Sequence, residues 1–253
     1  MFDYVQNKFN LYPEYTTNES FCKKNLCVKF AIARYLSLPE NIEEFRKSHS
    51  RKFWYTIKRS EKKYIENFGK LNFGIITDPD ELDFFLDGVQ QLFYARWKDT
   101  YTSSQWKTTQ GFYPYKLAMI DMAKNNLGFL AVLCDENSKV LSFAYCIRKS
   151  STIYLYQHAT LRDKDILKYS LGKVLFKYLL EFSIKEGAKI FDFMTGDSEY
   201  KRLWAKSSKN VYKIIGRKSI KNFFISILIR IKYFFQFNRF SRRILKKFMH
   251  LIY

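Results

Sequence analysis

Phe191-Asp192-Phe193-Met194-Thr195-Gly196-Asp197-Ser198-Glu199-Tyr200-Lys201-Arg202-Leu203-Trp204 is the stretch on which the reading of this chain turns. Ile190 to Met194 is apolar apart from Asp192, the composition of a buried strand. A carboxylate in such a strand is costly unless it is paired or sits at the strand's open end. Gly196 breaks the strand, and Asp197 stands where it would cap the turn that carries Tyr200, Lys201 and Trp204. A strand, a turn and a short helix are therefore expected, with a carboxylate, a phenol and a lysine gathered at their junction. Ligands of open α/β sheets bind at such carboxyl ends of strands. A purely structural reading stands beside this one, in which Asp197 only caps and Asp192 only pairs with Lys201 or Arg202.

Upstream, Ser170–Lys185 reads as a helix stopped by Gly187, reached through a polar loop, Leu161–Lys168. Before it, Phe129–Cys134, Val140–Ile147 and Thr152–Thr160 are three strands joined by short turns, the pattern of a meander. Helices are expected from Asp78-Pro79 to Arg96-Trp97 and over Tyr113–Asn126, with a polar loop, Lys98–Gly111, between them. Leu71–Thr77 reads as a strand. A long basic helix is expected from Pro39 to Gly69, and Cys27–Leu36 holds at most one strand. Downstream, Val211–Gly216 closes the series. From Leu71 the order is β, α, α, β, β, β, α, β, α, β. That order gives an α/β (α+β) domain over 36–217, a mixed central sheet flanked by helices, after a poorly defined segment, 1–35.

The chain has 253 residues, 47% of them hydrophobic, enough for a sizeable core. Lys and Arg number 44 against 24 acids, a net charge of +20. Fifteen of those cations and no acid fall between Tyr200 and Tyr253, leaving only +5 for everything before. The basic surface therefore belongs to the C-terminus, although Lys, Asn, Ile, Phe and Tyr share AT-rich codons and base composition accounts for part of the excess. Within 218–253, Phe240, Ile244, Phe248 and Leu251 recur at helical steps among Arg239, Arg242, Arg243, Lys246 and Lys247. The apolar run before them is interrupted by Arg230 and Lys232 and falls short of the ~20 residues of a spanning helix. This is the pattern of a basic amphipathic tail lying on an anionic membrane surface through 219–253, with packing on a partner or binding to nucleic acid as the other readings.

Cys22 and Cys27 are separated by four residues with no second Cys or His pair nearby, so no metal is expected. Cys134 and Cys146 fall in strands, where they act as small hydrophobes. The N-terminus lacks a basic-then-apolar signal pattern, which points to the cytoplasm and, with the tail, to the inner face of the membrane. In the helix around 39–69, cations interleave with Phe45, Phe53, Trp54, Ile57, Tyr64 and Ile65. That alternation fits nucleic-acid binding or, more simply, a solvated basic face with an apolar stripe behind it.

The order of elements resembles the GNAT acyltransferase fold. Three pieces resemble the branch that holds CelD-type and Fem-type proteins. They are Leu38-Pro39 with the basic helix around Arg51, Arg59 and Lys63 ending in Gly69; the Arg96-Trp97 helix end; and Gly172, Gly187, Phe191-Asp192-Phe193, Gly196-Asp197, Tyr200-Lys201 and Trp204. The resemblance covers about residues 36–217. It implies a splayed strand pair, Thr152–Thr160 and Ile190–Met194, that admits an acyl group. It implies acyl-CoA, acetyl-CoA in the simplest case, as co-substrate, its pyrophosphate at the helix start around Lys168, Ser170, Gly172 and Lys173. The loop has one glycine where coenzyme A-binding members have two or three.

The resemblance further implies Tyr200 as an acid for the thiolate, His158 as a base for the amine proton and Asp192 as an orienting group. Arg96, Trp97 and Lys201 would contact the substrate. Each has an ordinary structural alternative: a packed tyrosine, a satisfied histidine, an ion-paired aspartate, a helix-end cation. The expected activity is transfer of an acyl group to an amine of a sugar, glycan or cell-envelope precursor. The alternatives are a Fem-like transferase that takes aminoacyl-tRNA and a non-catalytic scaffold at the membrane.

Overall fold

The computed structural model describes residues 15–16, 26–97 and 108–216, with positions 220, 223, 224 and 227. Most of the loop expected over 98–111 and of the tail expected over 219–253 lies outside the described residues, as does the side chain of Trp97. In chain order the elements are β1 (Tyr15–Thr16), β2 (Leu26–Ser37), α1 (Ile42–Lys47), α2 (Arg51–Phe68), β3 (Asn72–Ile76), α3 (Pro79–Trp97), α4 (Thr109–Lys124), β4 (Gly128–Cys134), β5 (Val140–Lys149), β6 (Thr152–Thr160), α5 (Lys164–Leu167), α6 (Leu171–Lys185), β7 (Ile190–Thr195), α7 (Glu199–Trp204) and β8 (Ser207–Gly216). The chain divides into two compact units. One is Tyr35–Met194; the other takes the residues up to Arg34 and from Thr195 onward.

The Tyr35–Met194 unit is a mixed sheet, ordered β7-β6-β5-β4-β3, with helices on both faces. β3, β4, β5 and β6 pair antiparallel in succession, whereas β7 runs parallel to β6. β4 shows why both faces are covered. Its seven residues, Gly-Phe-Leu-Ala-Val-Leu-Cys, include no polar side chain, and all are buried. Leu130, Val132 and Cys134 join a cluster with Leu82, Leu86, Val89 and Phe93 of α3 and Phe112 and Met119 of α4. The alternate residue Phe129 meets Phe182 of α6, ring centroids 5.6 Å apart. The period of two along a strand thus divides β4 between two helical layers. α1 and α2 pack on the outer side of α6. Cys134 and Cys146 are buried, and burial pushes both thiols up, Cys134 to about 11. They serve as the small hydrophobes expected.

The structure corrects four expectations. The long helix over 39–69 is two helices, because Ser48 closes α1 with its hydroxyl on the Phe45 carbonyl and Ser50 caps α2 by accepting from Phe53 N–H. α4 begins at Thr109 rather than Tyr113, since Thr108 caps it through Gly111 N–H and the helix continues across Pro114. The polar loop over 161–168 contains α5, capped by Asp163. Asp197 does not cap α7; Ser198 holds the N-cap position, with no side-chain cap bond.

In the second unit the strand order is β1-β8-β2. Tyr15 and Thr16 pair antiparallel with Lys213 and Tyr212, and Gly196 N–H donates to the Ile32 carbonyl at 2.7 Å. Trp204, the last residue of α7, is 1% exposed and anchors that helix.

Candidate active site

The parallel ladder between β6 and β7 lasts three pairs, Thr152–Ile190, Ile153–Phe191 and Tyr154–Asp192, and then ends. β6 continues for six residues beyond that point, so the strands part at their carboxyl ends. Two local features part them. On the β5 side, Tyr145 faces Gln157 while Cys146 faces Leu155, which leaves Tyr156 as an extra residue. A bulge of this kind bends its strand and sharpens the twist. In β7, Met194 has φ +58°, outside the strand region. The buried Asp192 carboxylate accepts the Met194 N–H at 2.7 Å and so supports that turn.

α6 starts beside the parted end of β6. Its N-cap, Ser170, has φ +48° and ψ +43° and makes no side-chain cap bond. The left-handed turn that a glycine would otherwise supply is taken here by serine. Gly172 lets the helix approach the strand: a Cβ at this position would lie 2.9 Å from Thr160 Oγ1. Thr160 cannot easily yield, because its χ1 is stiff and its hydroxyl is shared with Ser142 at 2.8 Å. No side chain caps the N–H groups of the first turn, and an uncapped helix start is an arrangement that receives a phosphate. Lys168 adds charge at this point, its ammonium 5.2 Å from the Tyr169 ring centroid, and Tyr169 is itself buried against Tyr64 and Phe68. Lys173, in the first turn, is half-buried.

His158 is half-buried on β6 with its ring 5.5 Å from Phe176 of α6. Its side chain therefore lies on the α6 face of the sheet, the face on which Gly172 meets Thr160. Its carbonyl accepts from Arg96 Nη1 at 2.6 Å, which ties the end of α3 to β6. The Tyr35–Met194 unit thus holds Asp192, His158, Arg96, Lys168, Ser170, Gly172 and Lys173 around the carboxyl ends of β6 and β7.

Tyr200 and Lys201 belong to the other unit, on α7. Tyr200 is half-buried. Lys201 is buried, and its ammonium donates to the Thr195 carbonyl at 2.6 Å. Beside them Asp197 bridges Arg34 Nε at 2.8 Å and Arg202 Nη1 at 3.0 Å. The Arg34 hydrogen bond, with Arg202 behind it, holds the Asp197 carboxyl below the usual carboxylate range. Ser198 Oγ is buried with no hydrogen-bond partner among the described residues.

Arg34, Met194 and the Tyr156 bulge were not foreseen from the sequence. Arg34 lies 163 positions from Asp197, and no local pattern announces a pairing at that range. Met194 and Tyr156 are ordinary strand residues by composition.

The family model for the Acetyltransferase (GNAT) domain matches residues 51–202, well over half of the chain. The chain belongs to the GNAT acetyltransferase domain family. No curated protein matches it by sequence. Among solved structures, this GNAT domain is similar to the C-terminal domain of a protein from Agrobacterium fabrum assigned as a lysylphosphatidylglycerol synthetase, at TM-score 0.52 and 11% identity, over 85% of this chain and 69% of that one. It is similar to a conserved protein of unknown function from Bacteroides thetaiotaomicron, at 0.51 and 11%, over 83% and 66%. FemX follows at 0.50 and 13%, over 85% and 67%. At these identities the likeness is one of fold, and the chain spans about two thirds of each neighbour's length.

Proposed function

We propose that this GNAT domain transfers an acyl group from acyl-CoA, acetyl-CoA in the simplest case, to an amine of a sugar, glycan or other cell-envelope precursor. The observation that carries this reading is the parting of β6 and β7 directly beside the uncapped start of α6. The acyl thioester enters between the strands, and the donor's pyrophosphate meets the N–H groups of Leu171 and Gly172, with Lys168 and Lys173 supplying charge. The acceptor nitrogen attacks the thioester carbonyl, forming C–N and breaking C–S. His158 takes the proton the amine loses, and Tyr200 gives a proton to the departing thiolate. Asp192 acts by holding Met194, and so the open end of β7. Arg96 and Lys201 contact the acceptor.

Removal of the phenol by Tyr200→Phe lowers turnover by about two orders of magnitude with donor binding kept, in line with the worth of a general acid. Retained turnover would remove Tyr200 from the mechanism. Acetyl-CoA titrated into the protein and into Lys173→Glu tests the donor itself: binding weakened by the reversed charge supports this reading, and no binding to the folded protein ends it.

The second reading, transfer from aminoacyl-tRNA, is favoured by the likeness to FemX and by the net charge of +20. It predicts salt-sensitive binding of tRNA in place of coenzyme A. A position on the inner face of the membrane rests on the basic amphipathic pattern of 219–253. Ile220, Phe223, Phe224 and Ile227, the described positions near its start, are all exposed. No described helix is long and apolar enough to cross a membrane.

A further inference from the structure

A cleft of about 820 Å³ opens between α1, α2 and the middle of α6, within the Tyr35–Met194 unit and distinct from the parted strands. Five Lys or Arg residues line it (Arg46, Lys47, Arg51, Lys58 and Lys177) against two acids, Glu43 and Glu181. Two of the five are already neutralised, Arg46 by Glu181 at 3.0 Å and Lys177 by Glu61 at 2.9 Å. Lys47, Arg51 and Lys58 are exposed and have no ion-pair partner among the described residues. The cleft therefore presents a net positive field.

The placement of Arg51 also runs against helix electrostatics. The first turn of α2 carries Arg51 and Lys52 and no acid, and its last turn carries no cation. Cations at the positive end of a helix are disfavoured unless an anion offsets them. Seven residues along, Lys58 lies on the same face, with Tyr55 between them. Tyr55 lines the cleft and is 64% exposed, a large aromatic surface left in water among cations. Trp54 lies beside it, its indole N–H fixed on the Arg46 carbonyl at 2.6 Å.

We propose that this cleft binds a nucleoside diphosphate group, its phosphates on Lys47, Arg51 and Lys58 and its base on the Tyr55 ring. A pocket of this size suits a nucleotide, and every base offers a face on which an aromatic ring stacks. Such a group arrives on a nucleotide-linked substrate, because the donor's own pyrophosphate is placed at the start of α6.

The test is calorimetric titration of ADP and UDP into the full chain and into Arg51→Glu, Lys58→Glu, Tyr55→Ala and Lys173→Glu. All four positions are exposed or half-buried, and thermal melts confirm that the variants fold. Saturable UDP binding is expected, weakened at least tenfold by Arg51→Glu or Lys58→Glu, several-fold by Tyr55→Ala and by added salt, and kept in Lys173→Glu, whereas ADP, a fragment of coenzyme A, also reports on the start of α6. Retention of bound UDP in the presence of saturating coenzyme A supports a separate nucleotide-linked substrate; its full displacement overturns the proposal. Absence of saturable binding, or binding indifferent to Arg51→Glu and Lys58→Glu, overturns the proposal. Inorganic pyrophosphate binding as tightly as UDP removes the stacked base and also overturns it. Because Lys173→Glu reports on the start of α6 alone, failure here is separable from failure of the acyl-CoA reading.

Discussion

Gly172 is the residue whose replacement is most informative about local packing. Alanine there gains helix propensity but drives a Cβ to within 2.9 Å of Thr160 Oγ1. We expect Gly172→Ala to cost about 1–3 kcal/mol, the usual penalty of overpacking. We also expect Thr160→Ala to recover most of that loss in the double variant, measured by urea denaturation. Additive losses would show that the helix does not rest on Thr160.

Asp192 makes a second residue-scale case. Asn at this position keeps an oxygen for the Met194 N–H, whereas Ala removes that acceptor. Asp192→Ala should therefore lose about 1–3 kcal/mol more stability than Asp192→Asn. Equal losses would mean that charge, not the hydrogen bond, is what the site requires.

Asp197 carries the pH dependence of its turn. Its folded pKa is depressed, first by Arg34. Its stabilising effect is therefore complete above the unfolded value of about 3.9 and is lost as pH falls through the lower folded value. The melting temperature of the native protein should exceed that of Asp197→Asn at pH 7, and the gap should close below about pH 4.

Among the elements, the contact of α2 with α6 is held by an unusually sheltered ion pair. Glu61 and Lys177 lie 2.9 Å apart with side chains 13% and 12% exposed, and the Tyr178 hydroxyl donates to the same carboxylate. Burial and that carboxylate push the Tyr178 hydroxyl up, so it stays protonated and a donor. Glu61→Ala strands a cation and a phenol, and a loss of about 3 kcal/mol is expected in urea titration. A loss under 1 kcal/mol would show that water reaches the pair.

The same elements show what their sequence reveals. β4, α3 and α6 are legible because their apolar spacing is long and their ends carry Gly128, Asp78-Pro79 and Gly187. The break at Ser48-His49-Ser50 is not, since serine reads as helical or as capping depending on what its hydroxyl bonds. The start of α4 is obscured by Gly111 and Pro114, which look like breakers and are overridden by the Thr108 cap and the burial of Phe112 and Met119.

For the molecule as a whole, the alternation of strands and helices indicates a mixed sheet, and the Phe191–Trp204 stretch indicates the GNAT family. Both follow from local pattern. The shape of the site is less legible, because it depends on events between distant segments: the β6 bulge opposite Tyr145, the positive φ of Met194 and the Arg34–Asp197 pair. The single glycine in the α6 loop looks like a departure from the family pattern. In three dimensions Ser170 takes the left-handed turn itself. A chain that parts two strands beside an uncapped helix start should bind the donor whose shape fits both. Titration of acetyl-CoA into the full chain, with Lys173→Glu alongside, tests this most directly. The account predicts saturable binding that the reversed charge weakens at least tenfold. Absence of binding by a folded sample, or equal binding by both proteins, would contradict it.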